Sequence, residues 1–550
     1  MSKSIKNAAN FVERKYSAMY TKIDIWQSRT ARLLFMLMCC AMPMFLSPQR
    51  YVSLPLHKWN FFIFSMVTVL ILVIVIWIWR LTRKPMILPQ VGLNDFNLTD
   101  WAIIGFGLVT IITSLASPYS PETIAMSDGL FEFSTWVGVP GGLGRFDGAI
   151  TQLLYIAIFF IISRWYRPRE KDFMWLGLAA IAISLIGIIQ FYGFNIFGLW
   201  PNNLPQHRVD NFFFIHIRTT LGNTNTVSVF VTLIVLFFGF LFIRKKSKWQ
   251  PLWLITSALS FWMWDIANAD SGTVGIAAAM LLCIPFIIQT LKTLGRTLIF
   301  ASTLLAVYTL QTFLFEVITV PLYENLPIAA RDASTLLPFA AAFVLLLAIG
   351  LILNRIGKEP DPDAPPKWKL GVILIVVSII IGIAGIEVMG RPDADGGGSG
   401  ILYEAREVLH GNIQDEFGTN RIFIWRNALS VFPNNPIIGT GPDTFRFAFP
   451  AEAHEVFETY DNAHNEYINY LITHGILGLL AYLIFVMSII VFSVRKAFHD
   501  PVIMAFMAAF AGYLAQAFFN ISHPIASQML WVFAGVLMCR RLSKDGLGEN

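Results

Sequence analysis

Three arginines and one histidine stand out in the 550-residue chain because of their neighbours. Arg145 lies in Gly144-Arg145-Phe146-Asp147-Gly148. Arg218 opens Arg218-Thr219-Thr220-Leu221-Gly222-Asn223-Thr224-Asn225, where a glycine lets backbone approach a ligand and the helix N-terminus expected next is a natural anion seat. Arg421 occurs in Thr419-Asn420-Arg421-Ile422-Phe423-Ile424-Trp425, with Trp425 one helical turn on and on the same face. A guanidinium fork matches phosphate oxygens bidentately, as a lysine ammonium does not, and an exposed tryptophan beside it suits a sugar phosphate. His464 sits in Tyr460-Asp461-Asn462-Ala463-His464-Asn465-Glu466-Tyr467, a polar cluster at the mouth of an apolar run. A histidine there can exchange protons near neutral pH; a helix N-cap with interfacial aromatics accounts equally well for the same residues. Asp147, Asn223, Asn225, Asn465 and Tyr467 are the neighbours able to add polar contacts to a ligand.

The elements that position these residues follow from composition. With 56% hydrophobic and 14% charged residues and a mean hydropathy of +0.61, the chain is not an ordinary soluble enzyme. Apolar runs long enough to span a bilayer fall at about 31–47, 59–79, 101–117, 148–166, 173–197, 224–243, 250–269, 272–290, 297–320, 334–354, 368–388, 469–493, 501–519 and 523–539. The expected fold is therefore an all-α polytopic bundle of about fourteen spans. Cys39, Cys40, Cys283 and Cys539 lie in apolar runs, so neither a disulfide framework nor a cysteine metal site is implied. The charged, polar N-terminal 30 residues do not read as a signal peptide. Nucleotide, dinucleotide and nucleic-acid motifs are absent from the sequence.

Basic residues are retained on the cytoplasmic side of spans. With the N-terminus inside, 29 of the 40 Lys and Arg fall on inner segments and eleven on outer ones, where Lys58 is the one lysine. Both termini are then cytoplasmic, and the long connections 118–147, 198–223 and 389–468 share the outer face, where function is expected. The largest begins with the flexible lead Asp393-Ala394-Asp395-Gly396-Gly397-Gly398-Ser399-Gly400. It continues with helical apolar spacing at Ile401, Ala405, Val408 and at Ile422, Ile424, Ala428, a small helical cap resting on membrane lipid. The organisation reads as eleven spans in 1–388, an outer loop domain in 389–468, and three spans and a tail in 469–550.

Pro436-Ile437-Ile438-Gly439-Thr440-Gly441-Pro442-Asp443-Thr444-Phe445, then Ala463-His464-Asn465-Glu466-Tyr467 and Gly475-Ile476-Leu477-Gly478, resembles the O-antigen ligase and polysaccharide polymerase superfamily. The segments around Arg218 and Arg421 are similar to its other landmarks, and the resemblance covers about 140–540. It implies a multi-pass glycosyltransferase of the bacterial inner membrane, acting at the outer face on a polyprenyl-diphosphate-linked glycan, with a glycan, lipid or protein hydroxyl as acceptor. It further implies that His464 is catalytic and that Arg218 and Arg421 hold the diphosphate. Family members often carry Ser-Arg-Gly where this chain has Asp270-Ser271-Gly272-Thr273, which leaves Arg145 as the candidate for a third phosphate contact.

That chemistry is self-consistent. Histidine accepts the acceptor hydroxyl's proton, and two guanidinium groups stabilise the charge developing on the leaving diphosphate. A diphosphate leaves as a stabilised anion, so no paired carboxylates of the glycosidase kind are needed, and neither metal nor cofactor is called for. Direct displacement inverts the anomeric centre. The polymerase of the same superfamily shares this donor chemistry. A polysaccharide flippase is the competing class; it needs charges buried at mid-membrane and paired helix breaks, whereas Asp265 is the main mid-span charge here.

Overall fold

Backbone in hydrocarbon must satisfy its own hydrogen bonds, and each of the fourteen apolar runs contains a helix among its described residues. The computed structural model describes residues 22–51, 53–82, 95–119, 122–126, 129–138, 145–192, 194, 196–199, 219–267, 270–315, 317, 336–361, 364–392, 400–454 and 460–539. In chain order the helices are α1 (22–44, wound through a π turn at Leu37–Ala41), α2 (Leu54–Leu81), α3 (Leu98–Ala116), α4 (Ala149–Trp165), α5 (Glu170–Phe191), α6 (Thr224–Arg244), α7 (Gln250–Ala267) and α8 (Asp270–Leu282). They continue as α9 (Leu291–Leu314), α10 (Leu336–Ile356), α11 (Trp368–Met389), the cap helices α12 (Ile401–Leu409) and α13 (Phe417–Val431), then α14 (Glu466–Ala497), α15 (Pro501–Gln516) and α16 (Gln528–Leu537). Among the described residues nine helices are long and apolar enough to cross a membrane by themselves.

Burial follows the pattern of each helix. The α6 sequence is apolar all round, and every residue from Thr226 to Arg244 is buried, as expected for a helix without a polar face. Packing against α8 and α15 is close because small residues meet there: a Cβ on Gly512 would lie 2.2 Å from Leu236 Cδ1, and one on Gly275 would lie 2.7 Å from the Gly512 carbonyl oxygen. By contrast α10 and α11 bury only Gly350 and Gly371 among their described residues.

The helix ends sort into two faces. On one, ion pairs join Arg32 to Asp172 (3.3 Å), Arg164 to Asp100 (2.7 Å), Lys245 to Glu170 (2.9 Å) and Arg296 to Glu359 (2.6 Å). On the other, connections meet one another: Thr220 Oγ1 donates to Pro43 O (2.6 Å), Ser117 Oγ to Thr440 O (2.6 Å) and Asn520 Nδ2 to Asn225 O (3.1 Å). Loops that the charge pattern assigns to a common face therefore touch. Lys58, counted among the outer basic residues, is fully buried, and its Nζ donates to Met42 O (2.9 Å) and Pro43 O (3.2 Å) at the end of α1.

Two features depart from the expected all-helical outline. The connection 118–147 contains a short antiparallel hairpin, β1 (Glu122–Met126) with β2 (Gly129–Phe133), registering Glu122 opposite Phe133 and Met126 opposite Gly129. More consequential for the site, α14 is not one helix. At Gly475 the backbone turns to φ 63, ψ −170, and the segment Pro436–Gly441 inserts against the break. Thr440 and Gly441 N–H donate to Ile472 and Thr473 carbonyls (3.1 and 2.8 Å), while Ile476 and Leu477 N–H donate to Pro436 and Ile437 (2.9 and 3.3 Å). The loop thus satisfies the groups that the interrupted helix leaves open. The Pro436–Gly441 segment and the half-helix that follows His464 become one structural unit through backbone pairing across the break.

Candidate active site

Of the described candidate residues, Arg145, Asp147, Arg421, Trp425, His464, Asn465 and Tyr467 lie where the start of α14, the turn before α4 and the cap helix α13 meet, whereas Asn223 and Asn225 lie at the start of α6. Asn465 caps α14, its Oδ1 accepting from Tyr467 N–H and Ile468 N–H (both 3.0 Å), as an N-cap asparagine does. Just before it, His464 sits at φ 48, a left-handed conformation that few non-glycine residues occupy. Its N–H donates to Asn462 Oδ1 (2.9 Å), and the preceding carbonyl, Ala463 O, accepts from the Trp425 indole N–H (2.9 Å). Asp461 takes the Arg145 fork bidentately, Nε to Oδ2 at 2.8 Å and Nη2 to Oδ1 at 3.0 Å. The His464 Nδ1 atom is buried with no hydrogen-bond partner among the described residues.

A second small core, Ile424, Ala428, Phe445, Phe449, Ala453, Ala463 and Ile472, holds the cap onto α14. Here Ile424 and Ala428 of the expected apolar spacing are buried, whereas α12 buries none of its residues. Gly418, Thr419 and Asn420 are all left-handed (φ 64, 60 and 64), and Arg421 follows them, its Nη1 donating back to Gly418 O. Trp425 is not the exposed platform that its spacing suggests. It is half-buried, with its ring centroid 5.8 Å from those of both Phe518 and Phe519.

Charge at this site is arranged around a neutral imidazole. Burial, then the Arg145 and Arg421 guanidinium groups, push His464 down to about 4 against the opposing pull of Asp461. Burial pushes Asp461 up, but the Arg145 charge and hydrogen bonds, with His464, outweigh it and hold that carboxyl below its ordinary value. Asp147 moves the other way: burial, then the nearby Asp443 and Glu466 carboxylates, raise it well above the ordinary range. Its Oδ1 has no hydrogen-bond partner among the described residues. Glu466 is buried beneath, accepting from Tyr482 OH (2.7 Å) and Tyr513 OH (3.0 Å).

The remaining candidates have structural partners. Asn223 caps α6, accepting from Asn225 N–H (2.8 Å); Asn225 O accepts from Asn520; Tyr467 OH donates to Leu514 O (2.7 Å). Arg218 and the lead Asp393–Ser399 lie outside the described residues. Asp461 was not singled out from the sequence, since the pair it forms with Arg145 spans 316 positions and no local spacing marks it.

A pH prediction follows. A histidine at about 4 in the free protein is an unprotonated base above that pH and loses base function as pH falls through it. The acidic limb of kcat/KM, which reports the free protein, is expected near 4. A bound anion that neutralises Arg421 raises the imidazole's proton affinity, so the kcat limb is expected at higher pH; coincident limbs measured from pH 3.5 to 8 contradict this.

No curated protein matches the chain. Residues 325–483 match the family described as O-antigen ligase, a segment that runs from before α10 into α14 and contains Arg421, Trp425 and His464, while Arg145, Asp147, Asn223 and Asn225 precede it. Over this segment, less than a third of the chain, the protein is similar to the O-antigen ligase family, which supports a membrane protein of glycan-transferring kind.

Proposed function

We propose that this protein is a ligase-type glycosyltransferase that moves a glycan from a polyprenyl-diphosphate carrier to an acceptor hydroxyl at the outer face of the bacterial cytoplasmic membrane. The observation that carries the reading is the half-buried imidazole of His464, its Nδ1 enclosed and its proton affinity lowered by Arg145 and Arg421, within the O-antigen ligase segment. The distribution of 29 basic residues to the opposite face supports cytoplasmic termini and an outward-facing site. Residues 389–468 then form the outer domain over the bundle.

The acceptor oxygen forms a bond to the anomeric carbon as the carbon–oxygen bond to diphosphate breaks. The bonding pair leaves with the diphosphate, and the hydroxyl proton passes to His464 and on to water. Arg421, with Arg218, stabilises the charge that grows on the leaving group, an interaction stronger in the transition state than in the ground state. Asn223, Asn465 and Tyr467 serve by fixing the backbone that carries these groups. A flippase reading fits less well, because the break in α14 is filled by the chain's own Pro436–Gly441 segment through paired backbone groups.

Purified protein and a lipid-linked glycan test the assignment of the arginines. Arg421→Ala and Arg218→Ala are each expected to lower kcat by about 10²–10³-fold, and excess chelator is expected to leave the wild-type rate unchanged. Full turnover by both variants, or a rate abolished by chelator and restored by a divalent ion, contradicts the reading.

A further inference from the structure

We infer that Trp425 and the Arg145–Asp461 pair are positioning residues that aim the His464 ring, and not contacts to sugar or phosphate. The inference rests on reading His464 as the proton acceptor. Its basis is the peptide that joins Ala463 to His464, which is held at both ends. The carbonyl of Ala463 accepts from the Trp425 indole N–H at 2.9 Å, and the amide of His464 donates to Asn462 Oδ1 at 2.9 Å. One residue earlier, Asp461 is fixed by both arms of the Arg145 fork, and one residue later Asn465 begins α14 through its own cap. Five consecutive residues, Asp461 to Asn465, are therefore tied to partners around the imidazole.

Such support has a physical reason. His464 is left-handed at φ 48, and a non-glycine residue stays there only when its surroundings over-determine it. The holders come from separate elements: Arg145 from the turn before α4, Trp425 from α13. Trp425 is itself seated against Phe518 and Phe519 after α15, so its indole N–H is aimed by packing on the ring. With Nε and Nη2 of Arg145 taken by Asp461, the parallel fork geometry that phosphate recognition uses is already engaged.

The test is the kinetics of Trp425→Phe, which keeps an aromatic ring against Phe518 and Phe519 but removes the indole N–H, with purified full-length protein and a polyprenyl-diphosphate glycan. Misaiming a catalytic group by a fraction of an ångström costs rate, not donor binding. We expect kcat to fall about tenfold with donor KM unchanged, and no further loss when the change is added to His464→Ala. Asn462→Ala, which frees the other end of the same peptide without disturbing the Trp425 packing, is expected to give the same kcat-only loss should Trp425→Phe fail to fold. Arg145→Gln is expected to move the acidic limb of kcat/KM upward, because the guanidinium no longer opposes protonation of the ring. A rise in donor KM with kcat preserved, or an equal loss in the His464→Ala background, overturns the inference and restores Trp425 as a sugar contact. Full turnover by His464→Ala alone instead defeats the underlying proton-acceptor reading, whatever Trp425→Phe does.

Discussion

Replacing His464 with alanine is expected to lower kcat by about 10²–10⁴-fold, the usual contribution of a positioned general base, while donor binding is retained. The loss has two separable sources, because His464 also holds a left-handed backbone at φ 48. Asparagine tolerates that conformation well but cannot serve as a base at neutral pH. His464→Asn is therefore expected to fold with the wild-type turn and to be as inactive as His464→Ala. Recovery of activity in His464→Asn, measured as transfer per folded protein, would assign the residue a conformational part instead. Because Arg421 and Arg218 are unchanged, any residual rate in these variants reports stabilisation of the leaving diphosphate alone.

The second large effect is structural. Gly475→Ala is expected to destabilise the protein by about 3 kcal/mol or more, since a backbone region open essentially to glycine and a steric collision combine there. At φ 63, ψ −170 a Cβ would stand 2.3 Å from Ile437 O and 2.4 Å from Ile437 C, both backbone atoms that cannot rotate away. Relief requires withdrawing the inserted Pro436–Gly441 segment, and the turn that carries His464 lies at the other end of the same half-helix. Gly385→Ala is the control: a Cβ there meets nothing within 4 Å, and a helical alanine is no worse than glycine. The thermal midpoint in detergent should fall sharply for Gly475→Ala and hold or rise slightly for Gly385→Ala; equal midpoints contradict the role given to the break.

The fourteen helices were legible because apolar runs in a bilayer leave the backbone one economical solution. The break in α14 was not. Apolar residues continue through Gly475-Ile476-Leu477-Gly478, so the run reads as one span with a small-residue face, and the segment that fills the break lies more than thirty positions upstream. The hairpin did leave a trace, Asp128-Gly129 between two alternating stretches, a turn signal outweighed by the helical character of the rest. At the site, residue types were readable and partners were not. Arg145 reads as a phosphate ligand with no local sign of Asp461 in its fork, and Trp425 as a sugar platform with no local sign that its N–H meets Ala463 O. Local spacing shows which side chains can do chemistry, whereas commitment to an intrachain partner depends on contacts across hundreds of residues.

The central claim is chemical transfer at the face bearing His464, and reconstitution into vesicles tests it most directly. Purified protein, a radiolabelled polyprenyl-diphosphate glycan and a candidate acceptor hydroxyl are combined, and the glycosylated acceptor and free polyprenyl diphosphate are both quantified. The account predicts the two products in equal amounts, with inverted anomeric configuration and with neither formed by His464→Ala. Movement of intact donor across the bilayer without a new glycosidic bond would contradict it.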